Sequence, residues 1–406
     1  MEALILDMTH GGCVIAERLT DRGWDVACVD VYGVSSAECR ERMAARGIDI
    51  LKEAPERHFD AVFMPAHCPD SFIGKASYGR KCTFSDAVKM LLPDNLPFRI
   101  EVTGVKGKTS TCYLIAHILD SCGKKVFLHT SRGQGPYSGG SHRIGALRSI
   151  APPSILELPS EGYDAVVAEV SLGGSGKADI AMITNLADDY GIAKDTRKAS
   201  DAKAQIFSSG ACIVREEELG LWESKAPGLK LETYGANCFP ISEPRLGKPL
   251  RIRYRYRGKE QEASLSPDYL SLQYLPAADA ALKVCEIMGI PAEKVRESLE
   301  SFRGVPGRGE VSGREGAWIV RERNPGISHI SIGMTMECLK KMGALDDCFV
   351  AVDPVSRKVC DKMKAPLIRG VLERYGVDYA IADGKGGETD VSGHKTAVIF
   401  IKEAWQ

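Results

Sequence analysis

The stretch Ile100-Glu101-Val102-Thr103-Gly104-Val105-Lys106-Gly107-Lys108-Thr109-Ser110-Thr111 decides the fold of this 406-residue chain. Its β-branched apolar run ends at Gly104, and residues 112–119 continue with helical spacing, which predicts a strand, a phosphate loop and a helix. Glycines in such a loop let backbone N–H groups approach phosphate oxygens. Lys108 would reach the β and γ phosphates of a nucleotide, and the Thr109 hydroxyl would bind Mg²⁺.

This loop departs from the usual pattern at one position. The usual motif has its first glycine five residues before the second, where this chain has Val102. Gly104 lies three residues before Gly107 instead. A simple strand-to-helix turn is the alternative, but Lys108 and Thr109 between two well-defined flanking elements favour a phosphate loop.

Composition excludes several classes of function. The length suggests two or three domains, and a net charge of −1 gives no reason to expect nucleic-acid binding. No apolar run approaches membrane-spanning length, and residues 1–7 read as a strand rather than a signal peptide. Thirteen cysteines without a C-x-x-C pair fit a reduced cytoplasm, so a cytoplasmic protein is expected. Eight histidines show no H-x-x-x-H spacing, so a dedicated metal cage is not expected.

Periodicity predicts an α/β fold with three domains. Residues 1–95 read as a Rossmann-like, substrate-side domain, and turn formers at 93–97 suggest a linker. Gly11-Gly12 is not a G-x-G-x-x-G motif, so a structural unit is favoured over an NAD site. Residues 96–303 read as the nucleotide-binding domain with a parallel sheet, and residues 304–406 as a smaller Rossmann-like α/β domain.

Several local predictions follow from the same patterns. A strand over 164–171 carries Glu169 near its carboxyl end, where a Mg²⁺ ligand belongs. Residues 199–207 read as a helix, and residues 130–143 as a long polar loop, either substrate-binding or simply flexible. Residues 251–257 read as a strand with an arginine face, most simply a solvated one. In the last region, strands are expected at 318–320, 329–332, 349–352, 379–381 and 397–400, with helices at 336–342 and 367–375.

These segments together resemble the Mur ligase superfamily, which joins carboxylates to amines by way of acyl phosphates. Residues 103–109 match its shortened phosphate loop, T-G-[TV]-x-G-K-[ST], which accounts for the missing first glycine. The other matching segments are Glu169 in E-V-S, Thr184-Asn185-Leu186 with Asp189, Lys203 in A-K-A-Q-I-F, Gly307-Arg308-Gly309-Glu310 and Asn324-Pro325.

The resemblance implies ATP and Mg²⁺ as cofactors and gives each matching residue a role. It implies catalytic roles for Lys108, Glu169, Lys203 and Arg308, with Arg308 at the γ-phosphate and Lys203 carried as a carbamate in several members. It implies metal binding by Thr109, Glu169 and Lys203. The nucleotide contacts that it implies are Thr103, Gly104, Val105, Lys106, Gly107, Lys108, Thr109, Ser110, Asn185, Arg308 and Asn324.

The chain departs from the superfamily pattern at three places. Tyr190 stands where the family has a histidine, which puts a second Mg²⁺ in doubt. Arg323 replaces the histidine before Asn324, and no G-x-H-N segment precedes the Ala-rich helix that follows Pro276. The aspartate of the family segment around Asn324 is absent as well, and its loss and that of H-N suggest altered adenine or ribose contacts. The first domain gives no support for a UDP-sugar substrate.

Within the superfamily, residues 6–12, Asp30-Val31-Tyr32 and Lys106 resemble a branch that acts on a nickel tetrapyrrole. That resemblance implies that ATP phosphorylates a propionate and that a carbon of the same macrocycle attacks it, closing a carbocyclic ring. The nickel would belong to the substrate. A substrate with several carboxylates would suit His10, Arg132, His142 and Arg143.

Other functions remain open at this point. One is an amide-forming ligase of the same superfamily that acts on an amino acid or peptide. Others are a regulatory ATPase or nucleotide-binding module, and an NAD-dependent oxidoreductase that would use Gly11-Gly12 and Asp30. The oligomeric state, the general base and the modification of Lys203 are not predicted by the sequence.

Overall fold

The computed structural model describes residues 1–208, 210–314, 317–353, 363–382 and 393–402. Packing divides the chain into two compact units. The first unit comprises Met1–Lys108, Lys124–Pro136 and Arg148–Thr233, and the second comprises Thr109–Gly123, Tyr137–Leu147 and Tyr234–Gln406. The predicted α/β class is confirmed by sheets in all three regions of the chain, whereas the boundaries at residues 95 and 303 stay predictions. Among the described residues, no helix has both the length and the apolarity to cross a membrane.

The first region forms a parallel five-stranded sheet in the order β3-β2-β1-β4-β5. Residues Ala3 to Leu6 are fully buried because helices and loops cover both faces of β1. The strands and helices are Glu2–Leu6 (β1), Cys13–Thr20 (α1), Asp25–Val29 (β2), Ala37–Ala44 (α2), Ile50–Leu51 (β3), His58–Met64 (β4), Ser77–Thr83 (β5) and Phe84–Leu91 (α3).

The second region begins with the phosphate-loop strand and helix. Its strands in the first unit run parallel in the order β14-β11-β6-β10-β7, so β6 lies at the centre. Its elements up to residue 234 are Phe98–Thr103 (β6), Lys108–Ser121 (α4), Val126–Thr130 (β7), Gly133–Ser138 (β8), Ser141–His142 (β9), Ala165–Glu169 (β10), Ile180–Ile183 (β11), Gly191–Ile192 (β12), Arg197–Lys198 (β13), Ala199–Lys203 (α5), Ala211–Arg215 (β14), Leu219–Lys225 (α6) and Leu231–Tyr234 (β15).

The rest of the second region belongs to the second unit. Its elements are Cys238–Pro240 (β16), Leu250–Tyr256 (β17), Lys259–Leu265 (β18), Ser271–Ile287 (α7) and Ala292–Ser301 (α8). The predicted hairpin is present, with β17 and β18 antiparallel. Alternation along β17 buries Ile252 and Tyr254, while Arg251 and Arg253 pair with Glu262 on the neighbouring strand. This cross-strand pairing fits the solvated-face interpretation.

The third region has a sheet in the order β19-β20-β23-β21-β22, in which only the β19–β20 pair is antiparallel. Its core is built from residues such as Ile332, Met336, Leu339 and Phe400. Its elements are Arg308–Arg314 (β19), Ala317–Arg323 (β20), His329–Lys341 (α9), Cys348–Asp353 (β21), Ala365–Tyr375 (α10), Asp378–Ile381 (β22) and Thr396–Ile401 (β23).

Two local predictions are wrong. Residues 329–332 are the first turn of α9 and not a strand, because the Ser328 hydroxyl accepts from the Ser331 backbone N–H and caps a helix there. Residues 130–143 are not one long loop, because they contain β8 and β9. Gly133, Gly135 and Tyr137 alternate inward along β8, a two-residue period that glycines and a proline had obscured.

Candidate active site

The phosphate loop of the first unit is held in place by the segment after β11. The backbone N–H of Val105 donates to the Asn185 carbonyl, and the N–H of Lys106 donates to Asn185 Oδ1. Both Asn185 Nδ2 and Thr184 Oγ1 donate to the Lys106 carbonyl, at 2.9 and 2.6 Å. These hydrogen bonds fix the loop against the segment after β11, which is the pre-organisation that phosphate binding needs.

Gly104 is the tightest point of this loop. Its φ is +137°, and a Cβ there would lie 2.1 Å from Thr184 Oγ1. Both the backbone conformation and the close approach of the Thr184 segment require glycine at this position. The fixed glycine lets β6 turn sharply at Thr103, a fully buried residue whose hydroxyl donates to the Ser171 carbonyl.

Lys108 and Glu169 lie side by side at the carboxyl ends of β6 and β10. Lys108 Nζ donates to the Gly104 carbonyl at 3.2 Å and lies 3.9 Å from Glu169 Oε1. Glu169 is 3% exposed, and its Oε2 accepts from the Ser131 backbone N–H. Because the neighbouring strands are parallel, their carboxyl ends bring the predicted phosphate-binding lysine and the predicted Mg²⁺ ligand to one edge of the sheet.

Lys203 reaches the same edge from α5. Its Nζ donates to the carbonyls of Gly104 and Ser171, at 2.9 Å each, and the residue is 1% exposed. Burial, and then the nearby charge of Lys108, hold the pKa of Lys203 well below its usual range. A lowered pKa favours the neutral amine, which is the form of lysine that reacts with CO₂ to give a carbamate.

The helix that carries Lys203 is positioned by Asp189. The Asp189 carboxylate accepts from both the backbone N–H and the hydroxyl of Ser200, at 2.8 and 2.9 Å. A carboxylate that caps the first turn of a short helix fixes its direction. Tyr190, at the family histidine position, follows directly and is 40% exposed.

In the second unit, Arg308 contacts the first turn of α4. Arg308 Nη2 donates to Thr109 Oγ1 at 3.1 Å, and the Tyr274 hydroxyl donates to the Arg308 carbonyl at 3.0 Å. Ser110 follows Thr109 on α4 and is partly buried. Asn324 is buried near the end of β20, where its Nδ2 lies 3.5 Å from Glu322 Oε2. The structure therefore brings Arg308 to the predicted Mg²⁺-binding hydroxyl. Asn324 follows Arg323, whose backbone N–H donates to the Gly307 carbonyl, so it lies beside the strand that carries Arg308.

The four candidate substrate residues are divided between the two units. Arg132 belongs to the first unit, where its backbone N–H donates to Thr130 Oγ1. His142 and the exposed Arg143 belong to the second unit, and His142 Nδ1 lies 2.8 Å from the Tyr113 hydroxyl. His10 lies in the first unit and lines a pocket with a volume of about 260 Å³.

Sequence reasoning missed two residues beside His10. Asp7 Oδ2 lies 2.5 Å from His10 Nδ1 and 3.7 Å from His67 Nε2. Asp7 follows β1 and His67 follows β4, and these strands are parallel neighbours. A sequence signal for this cluster existed, since polar residues just past the carboxyl ends of adjacent parallel strands meet at one edge. It required the strand order, however, which periodicity does not supply.

Comparisons with known proteins show which family and fold the chain shares. A family model of the Mur ligase middle domain matches residues 102–236. The chain is 32% identical to a coenzyme F(430) synthetase of Methanosarcina acetivorans over 92% of this chain and 87% of that protein. It is 25% identical to a coenzyme F(430) synthetase of Methanocaldococcus jannaschii, over 95% of this chain and 91% of that protein.

Among solved structures, the MurF ligase of Thermotoga maritima in complex with ADP covers 84% of this chain and 85% of its own. The TM-score is 0.56 at 15% sequence identity, so this likeness concerns the fold alone. It confirms the predicted architecture of three α/β domains, with a phosphate-loop domain between two Rossmann-like ones.

Proposed function

Because the chain belongs to the Mur ligase family of ATP-dependent ligases, we propose that it is a coenzyme F(430) synthetase. In this proposal the enzyme activates a propionate of a nickel tetrapyrrole, seco-F-430 acid, as an acyl phosphate. A carbon of the same macrocycle then closes a carbocyclic ring, with release of ADP and phosphate. The match to the Methanosarcina acetivorans protein over nearly the whole chain supports this substrate over an amino acid or peptide.

The observation that carries the activation step is the grouping of Lys108, Glu169 and Lys203 around the Gly104 turn. A carboxylate repels nucleophiles, so it must first be converted into a species with a good leaving group. Phosphoryl transfer depends on positioning and on neutralising phosphate charge. Lys108 supplies a cation to the β and γ phosphates, and further backbone N–H groups of the loop would cradle them.

The residues fit a magnesium ion. Mg²⁺ prefers oxygen ligands, and Glu169 offers a carboxylate that is almost fully buried and is oriented by the Ser131 backbone N–H, which donates to Oε2. In the proposal Glu169 and the Thr109 hydroxyl bind the ion, which neutralises charge on the transferring phosphoryl group. Arg308, already hydrogen-bonded to Thr109, supplies a further cation for the γ-phosphate.

In this proposal Lys203 holds two segments of the site together, and its amine is the group that a carbamate would modify. Its amine joins the Gly104 carbonyl of the phosphate loop to the Ser171 carbonyl. A carbamate at Nζ would retain only one N–H donor, so it would keep one of these two hydrogen bonds. The intact mass of the purified protein distinguishes the amine from the carbamate.

The proposal is tested by coupling ADP release to the substrate. The wild-type protein is expected to release ADP and to form the cyclised product only when both ATP and the tetrapyrrole acid are present. Lys108→Ala is expected to lower turnover by about 10³-fold or more, since it removes the cation at the transferring phosphate. Lys124→Ala, a change of the same kind at an exposed lysine, is the matched control and is expected to retain wild-type turnover.

Three results would contradict the proposal. One is near-normal turnover by Lys108→Ala, and another is ATP hydrolysis that no carboxylate substrate affects, as expected of a regulatory ATPase. The third is an amide product when amino acids are supplied together with a carboxylate. That result would identify the chain as an amide ligase.

A further inference from the structure

Asp7 has an unusual backbone and a fully buried carboxylate. Its φ is +81°, a left-handed conformation that is strained for a residue other than glycine. Its Oδ1 accepts from the backbone N–H groups of Thr9 and His10, at 2.8 and 3.2 Å, which leaves Oδ2 for side-chain contacts. Gly12 holds the turn from the other side, because a Cβ there would lie 2.2 Å from the Asp7 carbonyl. The carboxylate is therefore fixed in position and direction.

That carboxylate orients the His10 ring. Burial raises the pKa of Asp7. The imidazoles of His10 and His67 and the backbone N–H of Thr9 have the larger, opposite effect and lower that pKa to about 2. An ionised carboxylate only accepts hydrogen bonds, so at 2.5 Å His10 Nδ1 must carry the hydrogen that they share. In neutral His10, Nε2 is therefore the nitrogen with the free lone pair. A buried aspartate that sets the tautomer of a half-exposed histidine is the arrangement of a general base.

The geometry of this cluster suits a general base better than a metal site. The ligand atoms of Asp7, His10 and His67 lie within 4.8 Å of one another, which is a possible metal set. Two ligands of one tetrahedral ion, each about 2.1 Å from it, lie about 3.4 Å apart. The 2.5 Å between Asp7 and His10 is a hydrogen-bond distance, so binding an ion would require these side chains to separate.

The pocket beside His10 connects this pair to the activation site. Phe84, Leu172 and Pro152 form apolar parts of its wall, and Ser171 lines it as well. The Ser171 carbonyl accepts from Lys203, which also bonds the Gly104 carbonyl of the phosphate loop. At about 260 Å³ the pocket is smaller than the sites that enclose whole drug-sized ligands. It suits one acid side arm and the adjoining ring edge of a larger molecule.

The pocket also offers a group that can fix the orientation of such an arm. Gln205 lines it, and its Oε1 is buried and has no hydrogen-bond partner among the residues that the structure describes. A buried amide without a partner is costly, and a polar group on a bound molecule would remove that cost. The apolar walls would keep water from the activated carboxyl group.

We propose that His10, oriented by Asp7, is the general base that removes the proton from the nucleophilic carbon during ring closure. His10 Nε2 takes the proton, and the electron pair of the broken C–H bond forms the new C–C bond to the carbonyl carbon of the acyl phosphate. The C–O bond to phosphate breaks, and phosphate leaves with that pair. The Asp7 carboxylate stabilises the imidazolium until the proton passes to water. This inference rests on the proposed function.

The test separates activation from ring closure. Hydroxylamine traps an acyl phosphate as a hydroxamate, so hydroxamate formation reports activation and the cyclised product reports closure. His10→Gln is expected to retain hydroxamate formation within about twofold and to lower ring closure by about 100-fold or more, the range of general-base catalysis. Asp7→Asn, which removes the positioning carboxylate, is expected to lower closure selectively as well. His58→Gln, at an exposed histidine of the same region, is the matched control and is expected to change neither readout.

Each contrary outcome has a definite meaning. Ring closure at a near-normal rate in His10→Gln would overturn the assignment, and so would a parallel loss of hydroxamate and product. A stoichiometric divalent metal in the purified protein that is lost in His10→Gln would show a metal site instead of a base. If the wild type forms no hydroxamate with the tetrapyrrole acid, the proposed function fails and this inference fails with it. If the wild type forms both and His10→Gln closes the ring, only this inference fails.

Discussion

Acidification is predicted to destabilise the central sheet through a single buried histidine. His129 lies in β7 and is fully buried, with Nε2 3.3 Å from Ser154 Oγ. The Ser154 hydroxyl donates to the Ala151 carbonyl at 2.6 Å, so its oxygen accepts from the His129 Nε2–H. His129 Nε2 therefore carries a hydrogen. Burial lowers the pKa of His129 to about 4.

The size of the effect follows from that pKa. The unfolded chain binds a proton at His129 below pH 6.5, whereas the folded chain resists it until about pH 4. Stability from this group is therefore fully present above pH 6.5 and is lost as the pH falls towards 4. A difference of about 2.5 pH units corresponds to about 3 kcal/mol, or about 1.4 kcal/mol for each unit within that window. Since the group is fully buried, screening by solvent does not reduce this figure.

Urea unfolding at pH steps from 7.5 to 4.5 measures this contribution. His129→Gln keeps a donor for Ser154 but cannot titrate. As the pH falls, its free energy of unfolding should therefore decrease less steeply than that of the wild type, and the two slopes should differ by about 1.4 kcal/mol per pH unit. His58→Gln, at an exposed histidine, should follow the wild-type curve. A His129→Gln curve parallel to the wild type between pH 6.5 and 4.5 would refute the reasoning. The position matters for function, because Ser131, two residues further on, donates its N–H to Glu169.

Two further predictions concern the phosphate loop. Gly104→Ala should weaken ATP binding at least tenfold, because its Cβ would overlap Thr184 Oγ1. Equilibrium titration measures this affinity. Gly123→Ala, which is also at positive φ but has open space around it, should leave ATP binding unchanged. Lys203→Met should lower the free energy of unfolding by about 2 kcal/mol, because two buried carbonyls lose their donor, and it should reduce turnover by about 100-fold through displacement of the loop. The exposed Lys198→Met is its control, and equal effects of the two lysine changes would contradict the role of Lys203 as a link.

The sequence was sufficient wherever the determining contacts are local. The strand, loop and helix around residues 98–121 and the hairpin at 250–265 were predictable because each buries its own apolar face and turns at glycine. Residues 329–332 misled because His-Ile-Ser-Ile alternates like a strand over four residues. The next four residues place Ile332 and Met336 one helical turn apart, and both are fully buried, so packing selects the helix.

The same distinction between local and long-range contacts applies to the candidate site. The phosphate-loop residues could be found because loop and lysine follow each other in the chain. The links from Lys203 to Gly104 and from Asn185 to Lys106 span about 80 to 100 residues. The family resemblance therefore identified Lys203 and Asn185 as site residues, but neither link was predicted. The proximity of Asp7 and His67 could not be predicted from the sequence for a different reason. A spacing rule for metal ligands or dyads searches one helix or loop, whereas these two residues meet because β1 and β4 are neighbours in the sheet.

The chemistry of ring closure explains why a base would lie in the first region. An amine attacks an acyl phosphate with its lone pair and loses its proton afterwards, so an amide ligase can leave that proton to water. A carbon acid has no lone pair until its proton is removed, so a ligase that forms a carbon–carbon bond must hold a base beside the nucleophile. In the proposed function, activation depends on Lys108 and Glu169 at the edge of the central sheet. Asp7 and His10 lie at the corresponding edge of the first sheet, past the carboxyl end of β1. A variant that loses closure while retaining activation would therefore show that one parallel-sheet edge binds phosphate and the other handles the proton.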